Sequence, residues 1–416
     1  MRLVYLLLFF FTIQKICYSQ LNEHQHVFEL NSNIEVESNN LNRSFYDKML
    51  FEGGFIDDAL KEEWIGSLDK QNNILYGNFK NEFLYTYKRK KRIYNLSVSD
   101  NNIINGAFSQ DLFKLIFQGN LDYINQELNF NNTNLRIDRY QKYSLGYGIM
   151  SKFMEGYFSL SFLKGNHHVS WFIEKGSLFT NSYGNSLDIE YNMDIFSTDT
   201  ANISAFNNNG NGLSISMNTS FNILNKKINL YVNDLGFIMW NTKSITSSVD
   251  SSFKFNGIEI DNLLDISDTS IDGNTIIDDH ILTQNSSFKS YIPADIGFYV
   301  EGKSNYKFLP KYIIGCNVRW QPFMDNLLLS YDKIKQGIDE SNYSPLYYVS
   351  SIIERDKFNL KPSLSYGGYT NDYNLGLEIS MERKVHLILG TKHLEDIFAN
   401  NKANSMSIYF RILKKI

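Results

Sequence analysis

The sequence predicts an all-β fold, namely a transmembrane antiparallel β-barrel of about 14 strands. Three observations lead to this prediction. Many segments alternate apolar and polar residues with period two, which is typical of strands with two different faces. Aromatic residues make up 15% of the 416 residues while there are only 5 prolines, a composition that suits strands. No apolar stretch long enough for a spanning helix follows residue 20, so a membrane location requires a closed barrel.

The N-terminus has the pattern of a secretory signal peptide. A positive start precedes an apolar run over 3–13, and Cys17 and Ser19 occupy the small-residue positions of a cleavage site. We expect residues 1–19 to be removed; an uncleaved membrane anchor is the alternative. The mature chain keeps one cysteine, Cys316, which excludes an intramolecular disulfide.

Residues 20–78 are mixed in pattern and are expected to form a separate N-terminal segment. GGFIDDALKEEW (53–64) predicts a short helix, with Asp57 or Asp58 near its N-terminus, where the helix dipole favours an acid. We predict that this segment lies inside or beneath the barrel, either as a plug or only partly ordered.

Residues 79–416 are expected to form the barrel itself. GYFSLSFL (156–163) and GLSISMNTSF (212–221) each place large apolar residues opposite serines, and DLFKLIF (111–117) reads as another strand. Few segments are apolar on both faces, so material for a large internal core is scarce. An apolar exterior with a polar interior is therefore favoured.

The stretch SLDIEYNMDIF (186–196) shows the alternation most clearly. In a barrel, one row of side chains would face lipid and the other would line the lumen. The predicted lipid-facing residues are Leu187, Ile189, Tyr191, Met193 and Ile195. The predicted lumen-facing residues are Asp188, Glu190, Asn192 and Asp194. These side chains would either select cations or polar solutes in a pore, or pair with lysines and arginines of neighbouring strands.

Charge and motifs exclude several function classes. The formal net charge is −5, which gives no basic footprint for nucleic acid. The sequence contains no HExxH, no GxSxG and no phosphate-binding P-loop. We therefore predict no enzyme and no cofactor.

Two patterns resemble metal sites, and we interpret neither as one. His24 and His26 form an HxH pattern in the loose N-terminal region, while His167, His168, His386 and His393, four of the other five histidines, are scattered along the chain. DTSIDGNTIIDD (268–279) places oxygen ligands and Gly273 at calcium-loop spacing, but its last position is Asp279 instead of the usual bidentate glutamate. A solvated loop is the favoured interpretation.

Several segments together resemble a known family. They are DLFKLIFQGN (111–120), YSLGYGIMSK (143–152), LSFLKGN (160–166), LDIEYNMD (187–194), NDLGFIMWN (233–241), FKFNGIEI (253–260) and YIPADIGF (291–298). In this order they resemble a Bacteroidota-type outer-membrane β-barrel family of unknown function. That family is distantly similar to long-chain fatty-acid transporter barrels and to barrels associated with type IX secretion.

The resemblance implies a location in the cell outer membrane. It implies either passage of hydrophobic ligands or a scaffold role in a secretion or surface complex. The expected partners are outer-membrane lipid, a hydrophobic ligand and other envelope proteins. The competing class is a secreted soluble β-sandwich, such as an adhesin or a glycan-binding protein.

Overall fold

The structure is a computed structural model of the whole chain. It describes residues 24–184, 186–199, 202, 204, 206–224, 226–255, 284–306, 310–323, 331–355, 358–398 and 403–416. The predicted signal peptide (1–19) and the calcium-like pattern (268–279) lie outside the described residues.

Fourteen of the strands form one closed antiparallel wall, which confirms the predicted fold class. In wall order they are β1 (His24–Ser38), β2 (Asn73–Arg89), β3 (Arg92–Phe108), β5 (Thr133–Met150), β6 (Met154–Thr180), β8 (Gly210–Ile223), β9 (Lys226–Trp240), β13 (Ala294–Lys303), β14 (Lys311–Trp320), β15 (Ser344–Glu354), β16 (Phe358–Gly368), β17 (Asp372–Glu382), β18 (His386–Thr391) and β19 (Ser405–Lys415). β1 pairs with β19 from Val27–Lys415 to Glu37–Ser405 and closes the ring. Because a single sheet closes on itself, the β-sandwich alternative is wrong.

Within the described residues, five further strands and five α-helices lie in the connections. The strands are β4 (Glu127–Asn129), β7 (Leu187–Ser197), β10 (Ile245–Phe255), β11 (Gln284–Asn285) and β12 (Lys289–Tyr291). The helices are α1 (Arg43–Tyr46, continued by a π-helical turn over Asp47–Glu52), α2 (Asp58–Ser67), α3 (Gln110–Gln118), α4 (Tyr331–Asp339) and α5 (Glu395–Phe398). None of the described helices is long and apolar enough to cross a membrane.

The two ends of the barrel differ. At one end, connections of two to seven residues join β2 to β3, β5 to β6, β8 to β9, β13 to β14, β15 to β16 and β17 to β18. The first strand starts and the last strand ends here, because His24 pairs with Arg89 and Val27 with Lys415. We call this the turn end. The opposite end holds the five helices named above and the long connections, and we call it the loop end.

The outer face of the wall carries a continuous apolar belt. Leu96 on β3 pairs with Leu145 on β5, which pairs with Leu160 on β6 and then with Ile215 on β8. Each of the other neighbouring strand pairs around the wall also has an outward pair of apolar or aromatic partners. These pairs are Ile215–Leu235, Leu230–Phe298, Val300–Ile314, Ile314–Val349, Val349–Leu364, Leu364–Leu375, Ile379–Leu389, Leu389–Phe410, Ile408–Ile34, Ile34–Phe79 and Tyr85–Leu96. Because cross-strand partners share a face, the belt surrounds the barrel.

The inner face is polar, as predicted. Ser97, Ser144, Ser161 and Ser214 form a row of cross-strand partners over β3, β5, β6 and β8. All four are buried, whereas Leu145, next to Ser144, is 68% exposed. The wall therefore has the apolar-out, polar-in arrangement of a membrane-spanning barrel.

Tyrosines border the belt at both ends. Near the turn end, Tyr94 on β3 and Tyr147 on β5 are exposed cross-strand partners. Near the loop end, Tyr347, Tyr366 and Tyr373 follow one another across β15, β16 and β17, all exposed. Aromatic girdles of this kind mark the two interfaces of a bilayer.

The N-terminal segment differs from its prediction as a plug. Its first part is the wall strand β1, so the described wall begins at residue 24 and not at 79. The helical part packs on the outer face of the wall at the loop end. Val36, on the outward row of β1, joins Phe45 and Trp64 in one buried cluster. Apolar side chains of the outward row that extend beyond the belt would be exposed to water, and the helices bury them.

The predicted helix near 53–64 exists as α2, whose N-cap Asp57 accepts a hydrogen bond from Leu60 N at 2.9 Å. The strand predicted over 111–117 is wrong, because these residues lie in helix α3. Ser109 Oγ accepts from Leu112 N at the start of that helix, and Phe113 fills the cluster of α1 and α2. The packing of this aromatic face favours the helix over a strand.

Candidate ligand-binding site

The turn-end half of the lumen is lined mainly by polar and charged side chains. It contains a cavity of about 640 Å³ whose lining includes Lys80, Glu82, Lys361, Glu378 and Arg411. Charges of both signs alternate around it, with Lys80 Nζ 3.5 Å from Glu82 Oε2. Such a charged lining suits water and polar solutes, although Ile313, Leu346 and Phe410 also contribute to it.

A charged bridge closes the lumen towards the loop end. Arg319 on β14 holds Asp295 on β13 with two contacts, Nε–Oδ1 at 2.8 Å and Nη2–Oδ2 at 3.0 Å. Its Nη1 donates to Tyr76 Oη and to Tyr369 Oη, both at 3.1 Å. The rings of Tyr76 and Tyr369 stack with centroids 3.8 Å apart, and Tyr343 meets Tyr369 edge-on. We call these five residues the Arg319 bridge.

The connection between β14 and β15 adds a second obstruction inside the barrel. Asn105 on β3 donates to the carbonyl of Ser341 at 2.9 Å, and Asn342 donates to Asn134 on β5 at 2.8 Å. β3 and β5 lie across the barrel from β14 and β15, so the connection must cross the interior. The barrel thus has an internal plug, which is formed by this connection and not by the N-terminal segment.

An apolar groove lies on the outer face of the wall at the loop end. Its floor is built from outward residues of β2, β3, β5 and β6, including Leu75, Leu135 and Trp171, and its side is built from α3. The groove has a volume of about 250 Å³ and is lined by Leu41, Phe45, Leu75, Gly106, Phe108, Leu112, Phe113, Ile116, Phe117, Thr133, Asn134, Leu135 and Trp171. Ile116, at 64% exposed, forms part of its rim. We call this feature the outer groove.

A polar band separates the outer groove from the belt. Asp100 and Asn102 on β3 pair with Gln141 and Arg139 on β5, on the same outward face. The sequence of zones on this side is therefore apolar belt, polar band and apolar groove. The groove lies beyond the belt, where a bilayer has its headgroups.

An ionisable cluster lies at the loop end between β1 and the β18–β19 connection. His393 Nε2 lies 2.9 Å from Glu37 Oε1, and His393 Nδ1 lies 3.3 Å from Glu395 Oε1. Although burial opposes the charged ring, these hydrogen bonds raise the pKa of His393 to about 10. Burial raises the pKa of Asp396 to about 7, Glu395 adds to the shift, and His393 opposes it. In the described part of the chain, neither carboxylate oxygen of Asp396 has a hydrogen-bond partner.

The structure places SLDIEYNMDIF differently from its prediction. β8 pairs with residues 154–165 of β6, whereas β7 pairs with residues 169–180, so β7 lies beyond the end of β8. It forms an extension at the loop end with β10. Leu187 and Ile189 pack against the small cluster of β4 and β6, and Asp194 lines a loop-end cavity.

The other residues predicted for this strand follow the same extension. Tyr191, Met193 and Ile195 are partly buried, Asp188 and Glu190 are exposed, and Asn192 is partly buried. Asp188 Oδ1 lies 3.5 Å from Lys254 Nζ on β10, as the pairing alternative predicted. The apolar–polar alternation of the sequence does form a strand. The surroundings of its two faces, however, are set by the neighbouring strands β6 and β10.

Histidines of the described structure occupy unrelated places. His26 hydrogen-bonds Tyr85 Oη near the turn end, and His386 begins β18. His167 and His168 lie on β6, and His393 belongs to the ionisable cluster. Sequence reasoning missed both the Arg319 bridge and the outer groove. An arginine beside a tryptophan in NVRWQ (317–321) was the available sequence signal for the bridge.

Comparison with solved structures gives only distant likeness. A deletion mutant of the TodX monoaromatic hydrocarbon channel is 7% identical with a TM-score of 0.42, covering 95% of this chain and 90% of that one. The Ralstonia pickettii toluene transporter TbuX is 6% identical with a TM-score of 0.40 and the same coverage. A Pseudomonas aeruginosa FadL homologue is 8% identical with a TM-score of 0.39, again with that coverage.

No curated protein matches the chain. A family model does match, over residues 23–391, which is most of the wall. The chain therefore belongs to the family of unknown function DUF5723.

Proposed function

We propose that this barrel lies in the outer membrane and captures an apolar ligand in the outer groove. The observation that carries the proposal is the groove itself, an almost wholly apolar hollow outside the wall and beyond the belt. Apolar hollows of this kind gain binding free energy by removing ligand surface from water. The short connections at the turn end suit a periplasmic face, which turns the groove and the helices towards the outside.

The lumen does not serve as the entry site in this proposal. Its turn-end half is lined by charges, and the Arg319 bridge closes it. Passage of a bound ligand therefore requires movement of the bridge or a route along the wall. The hydrocarbon channels and transporters named above are consistent with an apolar ligand, and the groove supplies the reason within this chain.

The test is a binding titration of the detergent-solubilised full chain with 11-(dansylamino)undecanoic acid, followed by dansyl fluorescence. We expect saturable enhancement, weakened about tenfold or more by Ile116→Asp, because a carboxylate in an apolar hollow must be desolvated. Ile223→Asp is the matched control, because Ile223 is also exposed but lies at the turn end. Equal affinity in the wild type and Ile116→Asp would refute capture at the groove.

The membrane location is tested separately. We expect extraction from envelopes only by detergent and a heat-modifiable mobility on gels, as for a closed barrel. Recovery in the soluble periplasmic or culture fraction would contradict it.

A scaffold role in a surface complex is the second candidate function. The observation that favours it is the cluster of exposed apolar side chains after α1, namely Met49, Leu50, Phe51 and Phe55. Exposed apolar clusters mark sites of contact with proteins or membranes. Liposomes carrying the protein separate the two candidates: uptake of a labelled fatty acid favours passage, and no uptake favours the scaffold.

A further inference from the structure

Three side chains on β5 and β6 form a hydrogen-bonded series at the loop end. Asp138 Oδ1 lies 2.7 Å from His168 Nδ1, and His168 Nε2 lies 2.8 Å from Ser170 Oγ. A carboxylate at Nδ1 fixes the proton there, so that Nε2 is free to accept the proton of the Ser170 hydroxyl. This is the order of bonds by which a histidine activates a serine nucleophile.

The strand geometry explains why these residues meet. Asp138 and His168 are cross-strand partners, so their side chains share one face. Ser170 lies two residues after His168 and returns to that face. The arrangement spans two strands and leaves no local motif, which is why the sequence predicted no enzyme.

Neighbouring contacts hold the imidazole in this orientation. Thr198 Oγ1 accepts a hydrogen bond from the His168 backbone N–H at 3.1 Å. The ring packs against both Trp240 and Phe288, with centroids 5.4 and 5.3 Å away. Gln321 Nε2 donates to Asp138 Oδ2 at 3.4 Å. His168 and Ser170 are 1% and 3% exposed, so they are shielded from bulk water.

The two residues nevertheless border an open space. His168 and Ser170 line a cavity of about 510 Å³ at the loop end, together with Phe196, Phe288 and Phe323. Hydroxyl groups of Thr246, Ser247, Ser248, Ser286, Ser287 and Ser290 complete much of the lining. An apolar chain could lie against the aromatic rings, and a polar ester group could meet the hydroxyls. The cavity thus suits an ester of an apolar acyl chain.

A buried cation stands beside the serine. Arg136 is the cross-strand partner of Ser170 and lies over the Phe323 ring, 4.3 Å from its centroid. It is 3% exposed, and its Nη2 has no hydrogen-bond partner within the described residues. As the cross-strand partner of Ser170, Arg136 brings a positive charge to the strand position beside the serine, which favours a negative oxygen on an attacked carbonyl.

We propose that Asp138, His168 and Ser170 form a hydrolytic site for acyl esters that enter this cavity. The Ser170 oxygen attacks the ester carbonyl carbon while its proton passes to His168 Nε2. The bond to the alcohol oxygen then breaks, and His168 returns the proton to the departing alcohol. Water from the solvent attacks the acyl-serine with the same assistance, which releases the carboxylic acid and restores the hydroxyl.

The first test is labelling of the full chain in detergent with a fluorophosphonate probe, which reacts with activated serines. We expect the phosphonylated peptide to contain Ser170, and Ser170→Ala to abolish labelling. Ser161→Ala is the matched control, because Ser161 is also a buried inward serine on β6 but is bonded to Ser144. A folded wild-type barrel that takes up no label at Ser170 would overturn the proposal.

The second test measures hydrolysis of p-nitrophenyl octanoate. We expect the rate to fall about 10²-fold or more in His168→Gln and in Asp138→Asn, because each removes proton transfer or the productive tautomer. Heat-modifiable mobility verifies folding of each variant. Ser170→Cys serves if the alanine variant does not fold, with octanoyl transfer to the thiol detected by mass spectrometry. Activity of Ser170→Ala equal to that of the wild type would contradict the assignment.

Discussion

Arg319 Nη1 and Tyr76 Oη lie 3.1 Å apart although their strands stand on opposite sides of the barrel. β14 and β2 are separated by seven strand-to-strand steps in either direction around the fourteen-strand wall. The contact therefore spans the lumen, and the two-contact ion pair with Asp295 anchors it on one side. Because one partly buried cation contacts residues on both sides, the bridge links opposite parts of the wall.

Replacement of this cation is predicted to be costly. Arg319→Met removes both contacts to Asp295 and leaves a carboxylate that is 30% exposed without this partner. Removal of one partner of such a partly buried pair costs about 1–3 kcal/mol of unfolding free energy. Urea unfolding of the refolded barrel, followed by gel mobility, measures the loss.

Lys311→Met is the control for the bridge. Lys311 pairs with Glu354 at the turn end, where the two side chains are 32% and 57% exposed. An exposed pair contributes about 0–1 kcal/mol, so this variant should unfold close to the wild type. Equal stability losses in the two variants would contradict the structural role of the bridge.

The belt gives a prediction about membrane insertion. Leu145→Arg places a cation in the middle of the outward apolar row, at a cost of about 2–4 kcal/mol in a bilayer. Leu224→Arg is the matched control, because Leu224 is 91% exposed in the β8–β9 turn, where the cost is about 0–1 kcal/mol. Folding yields into lipid vesicles, read from heat-modifiable mobility, should fall for Leu145→Arg alone.

The wall could be predicted from sequence because it depends on alternation within each strand. YSLGYGIM reveals an outward row that includes Leu145 and an inward row that includes Ser144, and the structure confirms this division. A closed barrel then follows from the number of such strands and the scarcity of core residues.

The functional features could not be predicted because they depend on partners distant in the chain. Arg319 and Tyr76 are 243 residues apart, and Asp138 and His168 are 30 residues apart. β7 alternates like a wall strand, yet its place is set by the second half of β6. α3 resembles a strand in composition and becomes a helix because Phe113 packs onto α1 and α2.

The ionisable cluster predicts a loss of stability as pH rises. The folded pKa of Asp396 is about 7 against an ordinary value of 3.8, so the folded state retains a proton that the unfolded state releases. The stabilisation is fully present below about pH 4 and is lost as pH rises through 7. For His393 the corresponding loss runs from pH 6.5 to about 10.

Asp396→Asn should flatten the lower part of this profile. At pH 8 we expect the variant to be more stable than the wild type by about 1–3 kcal/mol, because it no longer buries an unpaired carboxylate. Melting temperatures at pH 5, 7 and 9 measure the effect. Asp58→Asn, at a side chain that is 92% exposed, is the control and should follow the wild type. A profile of Asp396→Asn parallel to that of the wild type would contradict the prediction.

The helices beside the outer groove are predicted to unfold apart from the wall. Trp64 is fully buried, its Nε1 donates to Ser44 Oγ at 2.9 Å, and its ring meets Phe45 edge-on. Trp64→Ala leaves a large cavity in this small cluster, and truncation of a buried tryptophan costs about 3–5 kcal/mol. Because β1 and β2 are held together by their own hydrogen-bond ladder, the wall should keep its heat-modifiable mobility while α1 and α2 become sensitive to protease.

The Trp64→Ala variant should also lose the dansyl fatty-acid signal, since Phe45 lines the groove. Phe51→Ala removes an exposed ring from the same connection and should change neither readout. A protease-resistant Trp64→Ala variant that still binds the probe would refute the link between this cluster and the groove.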